Sequence, residues 1–557
     1  MLSAAQAPFR PTVMTSVRLT GPALRLVSQE RSTTSLMAGS YLCLLAWATA
    51  AAAATAPAPV VAVTGGRVEG VRVEGVLAYK GIPYAAPPLG ALRWRDPRPV
   101  SPWSGVRRAD AFAPACAQGK PPFGLPSSED CLYLNIWTAA RSARERRPVM
   151  VWIHGGGFTA GATAEPPYDG LRFAQQGIVL VSIAYRLGAF GFLAHPELDR
   201  ESGHPSGNYG LRDMIAALKW VRANIASFGG DPQRVTIAGQ SSGGTAVSLL
   251  VTAPATRGLF ERVIAESGDA TFRAPRYSLY APDQSGPLQT QRFAESVGEV
   301  LLHQLGADDM AAARVLPAPA ILEAVEGRGD LWTGPVIDGE LLPAPNTSLY
   351  HSGRFNDISI LIGTNSDEGH GRAPPALKVS VLRDQARDFT CPQEAEAVLA
   401  HYPLESDAHA PHALEMLIRD DDYAWNTWSW ARWQWRKGRG AVFLYYFDFP
   451  MPRFPNGAPH WTEVPYVFAN FGWFDDHHLP LRPEDLAASD LIRRYWINFV
   501  ATGNPNGRDL PRWPAFNERT ASALVFDRTP GARRLPNLER LRAIDVWHAC
   551  AWGGRDF

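Results

Sequence analysis

The stretch Val235-Thr236-Ile237-Ala238-Gly239-Gln240-Ser241-Ser242-Gly243 sets an apolar run against a glycine-flanked serine, and a small-residue segment suited to a helix follows it. This order predicts a strand, a sharp turn and a helix, with Ser241 on the turn. A side chain there projects from the carboxyl edge of a sheet, and the flanking glycines supply the space and backbone angles the turn demands. Alone the pattern is thin, because a chain with 49 glycines in 557 residues also produces it by chance, as an ordinary Gly/Ser turn. Its neighbours in the sequence give it weight.

Outward from Ser241, other short apolar runs at 148–153, 178–184, 358–362 and 441–447 each finish in a polar loop. Continuous runs of this kind suit strands buried on both faces. Between them, 211–228 spaces Ile215, Leu218, Val221 and Ile225 among Lys219 and Arg222, as a helix covering a sheet does. The expected fold is α/β, a mostly parallel central sheet flanked by helices, in one domain over 57–557 after an N-terminal extension over 1–56. Ligands of such sheets collect at the carboxyl ends of the strands.

Chemistry-bearing residues stand at those ends. After 148–153 come His154-Gly155-Gly156-Gly157-Phe158, whose consecutive glycines let backbone N–H groups converge as an oxyanion hole requires; a flexible glycine turn is the plainer alternative. After 358–362 come Asn365-Ser366-Asp367-Glu368-Gly369, with two adjacent carboxylates, and after 441–447 a Pro/Gly loop leads to His460. A serine hydroxyl is a poor nucleophile at neutral pH. It needs an imidazole to take its proton, and the imidazole needs a carboxylate to fix its tautomer. Ser241, the acidic pair ending in Glu368, and His460 supply the three parts. Asp367 and Glu368 also suit a helix cap, and His477 and His478 rival His460 as base but lie further from a strand end.

Charge narrows the partners. Lys plus Arg and Asp plus Glu balance at 54 each, and charged residues are 19% of the chain, so nothing favours nucleic acid or an anionic membrane. A small, largely neutral substrate is expected. Residues 37–56 are apolar and alanine-rich, follow Arg18, Arg25 and Arg31, and end in small residues before Pro57, which reads as a secretory signal cleaved near 52–56. Poly-alanine is weakly hydrophobic and no basic stop-transfer follows, so a stable membrane anchor is not expected. Export would place Cys116, Cys131, Cys391 and Cys550 where disulfides persist, while Cys43 leaves with the signal. Cys116 and Cys131 bracket a Pro/Gly/Ser-rich loop and are expected to bridge, whereas Cys391 and Cys550 stay unassigned, free thiols being one reading. The cysteines lack metal-ligand spacing, and no metal or organic cofactor is expected.

Taken together these motifs resemble the type B carboxylesterases, α/β-hydrolases that include bacterial p-nitrobenzyl esterases and animal cholinesterases. The likeness spans most of the chain, through Tyr79-Lys80-Gly81-Ile82-Pro83-Tyr84-Ala85, Ser128-Glu129-Asp130-Cys131-Leu132-Tyr133-Leu134-Asn135, Tyr185-Arg186-Leu187-Gly188, Gly207-Asn208-Tyr209-Gly210, Phe228-Gly229-Gly230-Asp231-Pro232 and Glu266-Ser267-Gly268. The resemblance implies hydrolysis of carboxylic esters through an acyl-enzyme, with Ser241 as nucleophile, Glu368 rather than Asp367 as acid and His460 as base, in that chain order. It implies an oxyanion hole from the N–H groups of Gly156, Gly157 and Ser242, a Cys116–Cys131 disulfide, an Arg93–Glu129 ion pair and a buried polar contact at Ser267.

Departures from the family pattern bear on the substrate. Ser242 stands for the usual alanine, and Met214 for a common glutamine. Gln240 replaces the glutamate that cholinesterases carry before the nucleophile, and the loop 117–130 lacks the tryptophan on which they hold a quaternary ammonium, so choline esters are not expected. Beyond Glu368, His370-Gly371-Arg372 replace aromatic residues, which makes Arg372 a candidate contact for a carboxylate-bearing ester, a solvated or ion-paired loop arginine being the plain alternative; Gln240 is a second possible substrate-binding residue. Carbamates, amides, polyesters or toxin esters are second readings. A non-catalytic adhesion module on the same fold would lack the triad. Trp425, Trp428, Trp430, Trp433 and Trp435 could line a lipase cleft, but they do not share one helical face, and packing around the sheet fits them better.

Overall fold

The computed structural model describes residues 57–551 except 269–287, 332, 390, 473 and 475–478. The expected signal at 37–56, Cys43, His477 and His478 lie outside the described residues.

Alternation within the apolar runs decides the architecture. In the strand Arg147–Ile153, Val149, Val151 and Ile153 pack into one hydrophobic cluster while Met150 and Trp152 pack into another, so both faces are buried. Each such side chain contributes about 1.5–3 kcal/mol by leaving water. Numbered along the chain, the main sheet contains β1 Pro57–Val63, β2 Gly66–Val73, β3 Val76–Pro83, β4 Val106–Arg108, β5 Tyr133–Thr138, β6 Arg147–Ile153, β7 Val179–Ile183, β8 Gly230–Gln240, β9 Arg262–Glu266, β10 Ser359–Asn365, β11 Val442–Phe447, β12 Ser522–Phe526 and β13 Gly531–Arg534.

Among the described residues these strands make a 13-stranded sheet in the order β1-β2-β3-β5-β7-β6-β8-β9-β10-β11-β12-β13, with β4 on β2. From β7 to β12 every pairing is parallel, and the antiparallel strands lie at the two ends. The expected mostly parallel sheet is therefore present. Strand β9, its middle member, did not register as an apolar run because it opens on Arg262 and closes on Glu266.

Helices cover both faces. On one side lie α1 Tyr209–Asn224, α2 Ser242–Thr252 and α3 Trp425–Lys437; on the other lies α4 Pro483–Thr502, which brings Ile492, Tyr495 and Trp496 into the second cluster. The predicted helix at 211–228 ends earlier as α1, and a tighter turn, Ile225–Phe228, completes it. In α3, Trp425, Trp428, Trp430 and Trp433 are buried and only Trp435 is exposed, at 39%. These rings are core, and their scatter around the helix reflects burial on several sides. A last helix, α5 Leu538–Ala551, packs against α3 and the π-helical turn Arg419–Ala424.

Two disulfides close loops. Cys116–Cys131 is bridged as expected, and Arg93 makes the implied ion pair, donating from Nε and Nη2 to the two carboxylate oxygens of Glu129 at 2.7 and 2.5 Å. The reading of Cys391 and Cys550 as free thiols is corrected: they are bonded across a separation of 159 residues. Sequence gives no hint of that pairing because the α5 packing that brings Cys550 to Cys391 is tertiary.

Candidate active site

Ser241 sits between β8 and α2 with φ 57° and ψ −129°, a conformation few non-glycine residues adopt. The neighbouring backbone over-determines it. Ser241 N donates to Glu266 O at 2.8 Å, and Thr245 N donates to Ser241 O at 2.9 Å. A side chain at Gly243 would place Cβ 2.1 Å from Ile153 O, so only glycine lets the elbow close on the end of β6.

The triple glycine follows β6. Gly156 has φ +109°, and a Cβ there would lie 2.2 Å from Ala160 O. Its carbonyl accepts from Thr159 N and Ala160 N, which curls the loop so that the N–H groups of Gly156 and Gly157 stay unbonded among the described residues, as does that of Ser242. Phe158 N donates to Ser242 Oγ at 3.2 Å, so the serine that departs from the family pattern ties the glycine loop to the elbow. Beneath, His154 stacks on Tyr185 at 4.5 Å between centroids, and its Nδ1 lies 2.9 Å from Gly155 O. Burial pushes this imidazole down to about 4, so it is neutral at neutral pH.

The candidate acid and base are brought together by backbone pairing that continues past the ends of β10 and β11. Ser366 N donates to Phe447 O and Asp367 N to Ala458 O, both at 2.9 Å, and Asp367 bridges Pro459. The next residue on each strand is then Glu368 and His460, whose Oε2 and Nδ1 lie 2.5 Å apart. Glu368 is 1% exposed, and its Oε1 accepts from Asn365 N at 2.7 Å. Asp367 takes no part in this contact; it pairs with His370 Nδ1 at 3.1 Å. His460 Nε2 lies 3.3 Å from Nε2 of Gln240, the residue before Ser241, so the far nitrogen of the ring faces the elbow.

Arg372 reaches the same region indirectly. Its Nη2 donates to Tyr423 OH at 2.5 Å, its guanidinium lies 5.1 Å from that ring, and the ring centroid is 5.0 Å from that of His460. Ser267 is buried beside Glu266, and its Oγ has no hydrogen-bond partner among the described residues.

Residues 57–544 match the sequence profile of the Carboxylesterase family. The chain belongs to that family. This carboxylesterase is 36% identical over 490 residues to the fumonisin B1 esterase of Sphingopyxis macrogoltabida, covering 84% of this chain and 86% of the relative. It is 35% identical over 484 residues to the para-nitrobenzyl esterase of Bacillus subtilis, covering 84% and 94% respectively. Among solved structures it resembles a PNB esterase with a TM-score of 0.74 at 33% identity, covering 87% of this chain and 99% of the other. A Geobacillus stearothermophilus carboxylesterase gives 0.75 at 32%, covering 88% and 99%. The carboxylesterase is thus a serine hydrolase of carboxylic esters with an α/β-hydrolase fold.

Two site residues escaped sequence reasoning. Asn365 holds Glu368 through its N–H and, through Nδ2, Pro459 O at 2.8 Å, which ties down the segment before His460. Its place three residues before Glu368 at a strand end was a usable signal. Tyr423, by contrast, comes from a π-helical turn that nothing in the local pattern announces. Among the described residues, no group of three or more His, Cys, Asp or Glu side chains is placed to hold a metal ion, and no helix is long and apolar enough to cross a membrane.

Proposed function

We propose that Ser241, Glu368 and His460 are the nucleophile, acid and base of this carboxylesterase, and that the N–H groups of Gly156, Gly157 and Ser242 form its oxyanion hole. The observation that carries the assignment is the 2.5 Å contact between His460 Nδ1 and Glu368, made at strand ends with the opposite ring nitrogen facing the elbow. Ser241 Oγ attacks the ester carbonyl while His460 Nε2 takes its proton, and Glu368 stabilises the resulting imidazolium. The glycine-loop donors and the positive end of α2 receive the charge that develops on the carbonyl oxygen. His460 then gives the proton to the leaving alcohol, and water repeats the cycle on the acyl-enzyme. Stoichiometric organophosphate labelling that is confined to Ser241 and abolished in Ser241→Ala is expected; an active Ser241→Ala variant would overturn the assignment.

The preferred substrates are small to medium, largely neutral esters. Gln240, next to the nucleophile and 3.3 Å from His460 Nε2, is a candidate substrate contact in this reading. A second reading, esters bearing a carboxylate, is supported by Arg372, held one aromatic ring away from His460. If it holds, Arg372→Ala lowers kcat/KM for a dicarboxylic monoester about tenfold or more relative to p-nitrophenyl acetate. An unchanged ratio removes it. The relative named for fumonisin B1 makes that ester one substrate to assay. Export with removal of 1–56, leaving 57–557 as the catalytic domain, is the proposed localisation, supported by two disulfides.

A further inference from the structure

The residue after His460 carries a side chain that its own backbone disfavours. Thr462 N donates to Pro459 O at 3.2 Å, which closes a four-residue turn with His460 and Trp461 at its centre. Trp461 has φ +76°, the left-handed value that the third residue takes in a type II turn, where glycine is usual. A bulky residue in that conformation is an outlier, and it persists only where surrounding contacts over-determine it.

Such contacts are present on the main chain and on the ring. Pro459 O also accepts from Thr462 Oγ1 at 2.7 Å and from Asn365 Nδ2 at 2.8 Å, and Trp461 O accepts from Val464 N at 3.1 Å. The indole packs, partly buried, against the second hydrophobic cluster and donates from Nε1 to Tyr168 OH at 3.1 Å. Tyr168 is 2% exposed, and its ring centroid lies 5.4 Å from that of Trp152 in β6, two residues before His154, where the glycine loop starts. It belongs to the short turn Pro166–Tyr168, which Asn470 secures by donating from Nδ2 to Pro167 O and Asp169 O at 3.0 and 2.9 Å. The phenol is therefore a fixed point beside the strand that delivers the glycine loop, and the indole reaches it from the turn that delivers His460.

Two neighbours in one tight turn thus reach two different anchors, His460 to Glu368 and Trp461 to Tyr168. We propose that Trp461 is a positioning residue: its indole N–H, held by Tyr168, fixes the turn that carries His460 relative to the strand that carries the glycine loop. The base and the oxyanion donors then share one frame. The strained φ at Trp461 is kept for an anchor that a glycine, which has no side chain, could not supply. Displacing a base by about 1 Å costs rate far more than affinity, so the contribution lies in kcat. This role rests on the triad proposed above, with His460 as base.

A double-mutant cycle tests it, with kcat and KM for p-nitrophenyl acetate measured in the wild-type enzyme, Trp461→Phe, Tyr168→Phe and the double variant. Each single variant keeps an aromatic ring and loses one end of the bond. Each is expected to lower kcat about three- to tenfold with KM changed less than about twofold, and the double variant to fall no further than the worse single one. Tyr168→Phe removes one oxygen only, so its kcat decides the matter even where Trp461→Phe fails to fold. Trp461→Gly separates the anchor from the turn, because glycine suits the backbone and has no side chain; it is expected to lose at least as much kcat as Trp461→Phe. Unchanged kcat in either single variant, losses that multiply in the double variant, a change confined to KM, or a fully active Trp461→Gly overturns the proposal. An active Ser241→Ala variant would instead remove the triad on which it rests, whatever the cycle shows.

Discussion

In the proposed triad, the buried carboxylate of Glu368 does two things: it fixes the imidazole tautomer and opposes the charge that forms on it. Glu368→Gln keeps the shape and loses both, so kcat is expected to fall by roughly 10³–10⁴ with the fold intact, measured by steady-state hydrolysis beside a thermal melt. Asp367→Asn, one residue away, weakens the His370 contact and its charge interaction with Arg419, and is expected to change kcat less than about threefold. His154 gives a different signature. Its imidazole is neutral in the folded protein down to about 4 but takes a proton near 6.5 when unfolded. Between those values the unfolded chain binds more protons, so stability is lost as pH falls through this window, by about 3 kcal/mol in all. Melts recorded from pH 7 to 4 are expected to show that slope, and His154→Phe to flatten it.

Among the elements, the glycine loop and the elbow are held against each other by backbone contacts that leave no room for a methyl group. Gly156→Ala drives Cβ into Ala160 O and is expected to lower kcat by about 10²–10³ by displacing the proposed oxyanion donors, with KM little changed. Ser242→Ala loses the bond from Phe158 N and the side-chain contact with Tyr185, and a drop of about two- to fivefold is expected in the same assay. The strands that carry the chemistry were legible because they are buried on both faces and therefore continuous in the sequence, as in β6, β8, β10 and β11. Strand β9 was hidden by its charged ends, and with it the place of Glu266.

For the molecule as a whole, the Cys391–Cys550 bond fastens α5 across a long stretch of chain. On the chain-entropy account, closing a separation of 159 residues contributes about 5 kcal/mol, against about 3 kcal/mol for the 15-residue separation of Cys116 and Cys131. Cys550→Ser is therefore expected to lower the melting temperature more than Cys116→Ser, as differential scanning calorimetry would show. The short loop could be read from its spacing, whereas the long one depended on helix packing that no spacing encodes. The backbone bridge between Asp367 and Pro459 has a practical side. It returns the chain to register through main-chain atoms, whatever side chains precede it, and Pro452, Pro455 and Asn456 in the preceding excursion are exposed. Diversity at those three positions is therefore expected to be tolerated, with turnover of p-nitrophenyl acetate little changed, so this excursion is where insertions and swaps can be carried at least cost to the hydrolase.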